Sequence, residues 1–165
     1  DNDIRKNQFR IPDVSGEDPR TGDYRTTNDG YFMSKFIFRG AWDNDMVLMR
    51  SAEMYLIEAE AEARLGNELA AKSALFAVQE RAGAAIIPSL NTGAALISEI
   101  LVERRKELFG EGHRFYDILR TKQTIDRSAS TSHWSKVVIP AGDKRLTYPI
   151  PQAEMDANPN MIQNN

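Results

Sequence analysis

The chain has 165 residues, enough for one compact domain, and its 41% hydrophobic and 27% charged residues are ordinary for a globular protein. Its formal net charge of −3, with both signs mixed along the chain, gives no long-range attraction to nucleic acid or anionic lipid. Cysteine is absent, which excludes disulfides, thiol catalysis and cysteine-ligated metals. No targeting leader is visible in this sequence, so two alternatives stay open: a cytosolic protein, or a piece of a longer chain.

Residues 1–45 are expected to be mostly irregular, because Gly, Pro, Asp and Asn are scattered through them. Tyr31–Phe38 has the pattern of a short strand. An irregular segment of this length is unusual inside a compact domain, so we expect it to pack against sequence that this chain does not contain.

A strong helical pattern covers about residues 45–65. Asp43 or Asp45 is predicted to cap its start, and Gly66-Asn67 is predicted to end it. Apolar residues recur at helical spacing on one face and are joined by a second apolar face. The first face holds Leu48, Ala52, Tyr55 and Ala59, and the second holds Leu56 and Ala63.

A second helix is predicted over about residues 68–82, ended by Gly83, with Leu69, Ala74, Ala77 and Val78 on its inner side. Two helices joined by a Gly-Asn turn form a helical hairpin. The segment ARLGNELAA, residues 63–71, is similar to the middle of a tetratricopeptide repeat, where a Gly turn precedes a small residue.

A third helix is predicted over about residues 93–109 and a fourth over about 113–122, with a sharp turn at Gly110–Gly112. The apolar stripe of the third helix is Ile97, Ile100, Leu101, Arg104 and Leu108. Beyond the helices, residues 136–139 are expected to pair with residues 146–148, and the Pro- and Asn-rich tail 149–165 to be extended. The predicted class is therefore all-α, with tetratricopeptide-like hairpins in 45–122 and irregular loops in 1–45 and 123–165.

Three carboxylates, Glu99, Glu103 and Glu107, follow one another at four-residue spacing in the third helix. Such acids could serve acid–base chemistry or bind a metal. Basic residues 104–106 lie between them, so ion pairing within the helix is the preferred interpretation. Neither His113 nor His133 has the spacing of a metal pair. We therefore predict no catalytic residue, no metal site and no cofactor.

Arg104 lies on the apolar stripe, and a buried guanidinium must be paired and hydrogen-bonded. We expect a structural clasp of charged residues that sets the angle between the third and fourth helices. Its predicted members are Glu103, Arg104, Glu107, Glu111, Arg114 and Asp117.

Aromatic residues outside the helices are the candidates for ligand contact, because flat rings on loops suit stacking against sugar faces. Trp134, Trp42 and Tyr31 are the residues we select. The alternative is that such rings fix the loops onto the helical layer.

Four stretches, in order, resemble motifs of the SusD/RagB family. LMRSAEMYLIEAEA (48–61) is similar to the family's LRYAEVYLIYAEA, and VQERAG (78–83) to VRNRAG. ILVERRKELFGEGHRFYDILR (100–120) resembles ILxERRxELxxEGxRxxDLxR, and YPIPQAEMDANPNMIQN (148–164) resembles the terminal PIPxxExxxNPxxxQN. Asp3-Ile4-Arg5 and Lys35 also fit the family pattern.

The resemblance implies a portion, at the carboxy-terminal side, of a lipoprotein about three times this length on the extracellular face of the outer membrane of Bacteroidetes-type bacteria. Its implied function is to capture oligosaccharide, or peptide in some members, and deliver it to a SusC-type TonB-dependent transporter, without catalysis. The signal and lipidated cysteine would lie outside this segment. The family's motifs map to scaffold helices, so no ligand contact is carried over by motif.

Two other functions are alternatives to this one. A tetratricopeptide-like scaffold that binds only proteins would use a concave helical groove rather than loop aromatics. A glycoside hydrolase would need two opposed carboxylates about 5 to 10 Å apart in a cleft, whereas the paired acids found here follow one helix.

Overall fold

A computed structural model describes residues 2–10, 32–33, 35, 48–129 and 136–164, with backbone alone at 9–10 and 32–33. The chain forms two compact units, Asp1–Phe109 and Gly110–Asn165. Its regular structure is mostly helical, which confirms the all-α prediction. The finer tetratricopeptide-like arrangement stays a prediction. Among the described residues no helix is long and apolar enough to cross a bilayer.

Three helices build the first unit: α1 (Ser51–Leu65), α2 (Glu68–Arg81) and α3 (Gly93–Glu107). Gly66 ends α1 in the left-handed conformation at φ 84°, which lets α2 start two residues later. Helix α1 packs against both α2 and α3. The largest fully buried side chains of the core are Leu56, Val78, Leu75, Leu96 and Ile100.

A 3₁₀ helix, Ile4–Gln8, docks on the end of α2 in the first unit. Its Ile4 N–H donates to the carbonyl of Ala82 at 2.9 Å. A Cβ added to Gly83 would lie 2.8 Å from the Asn2 carbonyl oxygen, and Gly83 also has φ +67°. Glycine is therefore required here twice, for its backbone conformation and for the close approach. Strand β1 (Phe9–Arg10) follows and pairs antiparallel with β2 (Phe32–Met33).

The second unit contains α4 (His113–Arg120), the strands β3 (Ile125–Asp126) and β4 (Val138–Ile139), a 3₁₀ turn at Lys144–Leu146, and α5 (Gln152–Ala157). Strands β3 and β4 are antiparallel, with Ile125 opposite Ile139. Ile118 and Leu146 are the buried hydrophobic residues of the described part of this unit.

Several sequence predictions were wrong in detail. Helix α1 begins at Ser51 rather than near 45, and extended Arg50 is the residue that precedes it. Leu48, placed on one apolar face with Ala52, is 79% exposed, and Leu69, predicted to lie on the inner side of α2, is 86% exposed. Tyr55 is also exposed, because the buried face of α1 is the one with Ala52, Leu56, Ala59 and Ala63. Where a helix has two apolar faces, the spacing of its apolar residues does not show which face is buried.

Two more corrections concern the second unit. Residues 136–139 contribute β4, but its partner is Ile125–Asp126 and not residues 146–148, which partly form the 3₁₀ turn. The tail 149–165 is not simply extended, since it contains the short helix α5. Pro151 immediately before α5 is favourable for a helix start, a signal that the Pro-rich composition concealed.

Candidate functional site

The carboxylate of Glu107, at the last residue of α3, is the centre of a charged cluster in the first unit. Its Oε1 atom accepts from Arg50 Nη1 at 2.5 Å and from Arg81 Nη2 at 2.5 Å. Its Oε2 atom accepts from Arg5 Nη1 at 3.2 Å. The Glu107 side chain is 3% exposed. One carboxylate therefore ties together the N-terminal 3₁₀ helix, the residue before α1, the end of α2 and the end of α3.

Arg5 is the second centre of this cluster and is buried. Its Nη2 atom lies 2.7 Å from Asp3 Oδ2, and its Nε donates to Asp3 Oδ1 at 2.8 Å. Its Nη1 atom pairs with Glu103 Oε1 as well as with Glu107. Such a planar, multiply bonded guanidinium is the arrangement that makes burial of charge tolerable.

Two cations cap the carboxyl end of α3. Lys35 Nζ donates to the carbonyls of Glu107 at 2.7 Å and Phe109 at 3.1 Å. Arg50 Nη2 donates to the same Glu107 carbonyl at 2.6 Å. The last carbonyls of a helix lack intrahelical partners and carry partial negative charge, so these contacts satisfy them and offset the helix dipole.

Arg104 is buried on α3, as its place on the apolar stripe predicts. Its Nη2 atom lies 3.5 Å from Glu53 Oε1 of α1. This ion pair connects α3 with α1 through side chains that are 8% and 12% exposed. It lies between two helices that already share the hydrophobic core.

Glu99, one turn before Glu103, fixes the connector between α2 and α3. It accepts from Ser89 Oγ, from Asn91 Nδ2 at 2.7 Å and from Gln79 Nε2 at 3.1 Å. Burial raises the pKa of Glu99, but these three hydrogen bonds outweigh burial and leave its pKa below the ordinary value. The carboxylate is thus held in its charged form as a structural acceptor.

The pKa of Glu107 is governed by the same competition. Burial disfavours the charged carboxylate and raises the pKa, whereas the hydrogen bond from Arg50 and the charges of Arg50, Arg81 and Arg5 lower it more. The resulting pKa lies below the usual range of a glutamate. Because a general acid needs a raised pKa, Glu107 is poorly suited to proton donation.

The three acids of α3 are paired with groups far from them in sequence. Ion pairing with basic residues 104–106 stays a prediction, and the charge of Lys106 contributes to the lowered pKa of Glu99. The partners of the three acids described above come from other segments of the first unit. Among the described residues there is also no group of three or more His, Asp and Glu side chains placed to hold a metal ion.

The predicted clasp residues are divided between the two units. Glu103, Arg104 and Glu107 are buried in the first, where they contact the partners just described. In the second unit Asp117 is buried, with Arg120 Nη2 2.7 Å from its Oδ1, and Arg114 donates to Gln123 Oε1 at 3.1 Å. A role for the six residues, Glu111 included, in setting the angle between α3 and α4 stays a prediction.

The aromatic ligand candidates, Trp134, Trp42 and Tyr31, lie outside the described residues, so their role also stays a prediction.

Sequence reasoning missed the arginines that meet at Glu107. A signal for them existed, because Arg5, Arg50 and Arg81 all fall within the stretches quoted above. They could have been found by asking which buried acid each motif base neutralises.

The terminal motif of the second unit forms a backbone clamp. Gln163 Oε1 accepts from the Ile150 N–H at 2.8 Å, and Gln163 Nε2 donates to the Ile150 carbonyl at 3.1 Å. Asn164 Nδ2 donates to the Tyr148 carbonyl at 3.1 Å. The side-chain amide of Gln163 thus bonds to Ile150 as the backbone of a neighbouring strand would. These bonds close the tail into a loop that contains α5.

Comparison with known proteins places these features in one family. A family model described as the SusD family matches residues 4–165. The chain belongs to the SusD family. A SusD-like carbohydrate-binding protein from Bacteroides vulgatus is 30% identical to this chain and superposes on it with a TM-score of 0.76. The match covers 98% of this chain and 38% of that protein. A SusD superfamily protein from Bacteroides thetaiotaomicron is 29% identical, with a TM-score of 0.72 over 99% of this chain and 37% of its own.

SusD-like protein P38 from Formosa agariphila is 27% identical, over 93% of this chain and 29% of its own length. The chain thus spans between about three and four tenths of the length of these relatives. The SusD-type motifs fall on the charged cluster and on the Gln163 clamp. In this chain they supply ion pairs and hydrogen bonds that join separate segments within each unit.

Proposed function

We propose that this chain is the carboxy-terminal scaffold of a longer SusD-family protein, which captures oligosaccharide at the cell surface and delivers it to a SusC-type TonB-dependent transporter. Peptide is the alternative ligand class. A lipid anchor outside this segment would hold the protein on the extracellular face of the outer membrane. The relative from Bacteroides vulgatus is a carbohydrate-binding protein, which supports a sugar as the ligand.

The non-catalytic part of this proposal is supported by the contacts of the buried acids, whose oxygens already accept hydrogen bonds from other protein groups. Hydrolysis of a glycosidic bond uses a proton-donating carboxyl and an opposed carboxylate with free access to substrate. Glu107 is engaged by three arginines, and Glu99 by three hydrogen-bond donors. These contacts support a structural role for both acids.

The ligand surface is proposed to lie in the loops that carry Trp134, Trp42 and Tyr31. Aromatic rings provide rigid apolar faces on which sugar rings stack. Loops positioned by a rigid scaffold commonly carry binding residues. The charged cluster and the hydrophobic core of the first unit would supply that rigidity.

Retention of the complete gene product in native gels tests the proposal. The gels contain α-glucan, β-glucan, mannan, xylan or alginate, and casein peptides serve as competitors for the peptide alternative. We expect at least one polysaccharide to retard the protein and Trp134→Ala to relieve the retardation. Phe115→Ala, a change at an exposed aromatic residue of α4, is the matched control and should migrate as the unsubstituted protein does.

Delivery is tested by purification from outer membranes. We expect a β-barrel transporter to accompany the tagged complete protein, and a protease added to intact cells to cleave it. Failure of every polysaccharide and of the peptides, together with capture of unrelated soluble proteins, would replace this proposal by the protein-binding scaffold.

A further inference from the structure

The strand pair β1–β2 is short, and a long stretch of the chain connects its two strands. Phe9 lies opposite Met33 and Arg10 lies opposite Phe32 in an antiparallel pair. Residues 11–31 therefore leave and return to the first unit through backbones that are about 5 Å apart. A pair of two-residue strands is not stable in water by itself. Its placement depends on what holds the outer end of each strand.

The outer end of β1 is held by Arg5. The 3₁₀ helix that contains Arg5 leads directly into Phe9. The Arg5 guanidinium is buried and pairs with Glu103 and Glu107 of α3, with its Nη1 atom 3.2 Å from Glu107 Oε2. Strand β1 is therefore attached to the last turn of α3 through a buried ion pair.

The outer end of β2 is held by Lys35, which follows Met33 closely in the sequence. Its Nζ atom donates to the carbonyl oxygens of Glu107 at 2.7 Å and Phe109 at 3.1 Å. A protonated amine suits this place, because the last carbonyls of a helix lack intrahelical partners and carry partial negative charge. Arg5 and Lys35 thus attach the two strands to the same residue of α3, one at the Glu107 carboxylate and the other at its backbone carbonyl.

Contacts with one shared residue fix how the two strands lie along each other. A shift of β2 by one residue would move Lys35 by about 3.3 Å along the strand, which is enough to break its bonds to the helix carbonyls. Such a shift also turns every residue of a strand to the opposite face. Tyr31, proposed above to contact the ligand, is the residue immediately before β2. The register of β2 therefore matters for any ligand that Tyr31 contacts.

We propose that Lys35 is a positioning residue for ligand capture, which fixes the register of β2 on the end of α3 and does not touch the ligand itself. The proposal rests on the proposed function in one respect, that Tyr31 contacts the ligand. Loss of Lys35 should leave the helical core intact. Arg50 Nη2 donates to the same Glu107 carbonyl at 2.6 Å, and the bond to Phe109 lies at an exposed site, where water can replace it.

Three variants of the complete gene product test this role. Lys35→Met removes the charge and the donors at nearly the same side-chain length, and Lys35→Arg keeps both. Lys72→Met is the matched control, because Lys72 is also a half-buried lysine and pairs with Glu68 within α2 at 3.8 Å. Hydrogen exchange of the β1 and β2 amides is measured without polysaccharide. Titrated native gels give the dissociation constant for the polysaccharide that retards the protein most strongly, and thermal melts give the melting temperature.

We expect Lys35→Met to speed exchange of the β1 and β2 amides by about tenfold or more, while amides of α1 and α2 exchange as before. If the fraction of molecules with the native register falls to about a tenth, the apparent dissociation constant rises about tenfold, because only that fraction binds. Lys35→Arg should restore both quantities, since a guanidinium also donates to carbonyls. Lys72→Met should change neither, and the melting temperatures of the three variants should agree.

The positioning role is overturned if Lys35→Met exchanges and binds as the unsubstituted protein does. Faster strand exchange with unchanged binding would also overturn it, since Lys35 would then hold the strands without a role in capture. A third contrary result is faster exchange throughout α1 and α2 with a lower melting temperature, which would mean a role in overall stability alone. Failure of Lys35→Arg to restore exchange and binding would count against it as well. A failure of the proposed function is distinguishable, because it is seen in the unsubstituted protein as the absence of retention by every polysaccharide.

Discussion

The first unit buries a row of branched side chains, including Leu56, Leu75 and Ile100, and surrounds it with paired charges. The second unit buries few hydrophobic residues among those described and depends on side chains that bond to backbone, such as Gln163 to Ile150. A buried charge that loses its partner lowers the stability of the fold strongly, whereas the groups of a broken, partly exposed hydrogen bond can bond to water instead. The comparison indicates that damage to the first unit is global and damage to the second is local.

Removal of the Glu107 carboxylate should have the largest effect. Glu107→Ala leaves Arg5, Arg50 and Arg81 without their shared acceptor, and we expect a loss of about 3–5 kcal/mol in the free energy of unfolding. Glu58→Ala, which removes an exposed acid from α1, should change it by less than about 0.5 kcal/mol. Denaturant melts of both variants provide the measurement, and equal small losses would mean that the cluster is only a solvated surface.

Gly83→Ala should be the next most damaging change, because it combines a positive φ with a clash against the Asn2 carbonyl. Gly66→Ala is the matched control, since Gly66 also has positive φ but nothing within 4 Å of an added Cβ. We expect about 1–2 kcal/mol for the backbone conformation in both variants. Thermal melts should then show a further loss of about 1–3 kcal/mol for Gly83→Ala alone. Identical melting curves would refute the docking of the N-terminal segment on α2.

The acid dependence of stability should report on Glu107. Its pKa is lowered in the folded protein, so its contribution is present above the unfolded pKa of about 4.3 and is lost as the pH falls through the lower folded value. The free energy of unfolding should therefore decrease with falling pH below about 5. Glu107→Gln should have a shallower slope in that range, and Glu58→Gln should follow the unsubstituted protein. An unchanged slope in Glu107→Gln would assign the acid sensitivity to other carboxylates.

The smallest effect is expected in the second unit. Gln163→Ala removes two hydrogen bonds to Ile150, with a loss of about 1 kcal/mol that is confined to the tail. Hydrogen exchange should show faster exchange of the Ile150 amide while α1 and α3 are unaffected. Gln152→Ala, which removes an exposed bond to Asp156, is the control and should leave the Ile150 amide unchanged. Faster exchange throughout the first unit would contradict the separation of the two units.

The helices and the family could be predicted from the sequence, because helical periodicity and motifs are local. The end of α1 at Gly66 and the burial of Arg104 follow from such patterns. The partners of Glu107 could not be found in this way, since Arg5 and Arg50 lie 102 and 57 residues away. Leu69 is exposed although it was predicted to lie on the inner side of α2, because periodicity identifies apolar faces without saying which neighbour is present.

The proposal that this chain is part of a capture protein and that its buried acids are structural is tested most directly by a mass balance of oligosaccharides. The complete gene product is incubated with oligosaccharides prepared from the polysaccharide that retards it, and bound, free and shortened oligosaccharides are separated by chromatography. We predict depletion of the free oligosaccharide, full recovery of intact chains after denaturation, and loss of depletion in Trp134→Ala. The proposal would be contradicted if the unsubstituted protein produced shortened oligosaccharides and Glu103→Gln, folded to the same extent, did not.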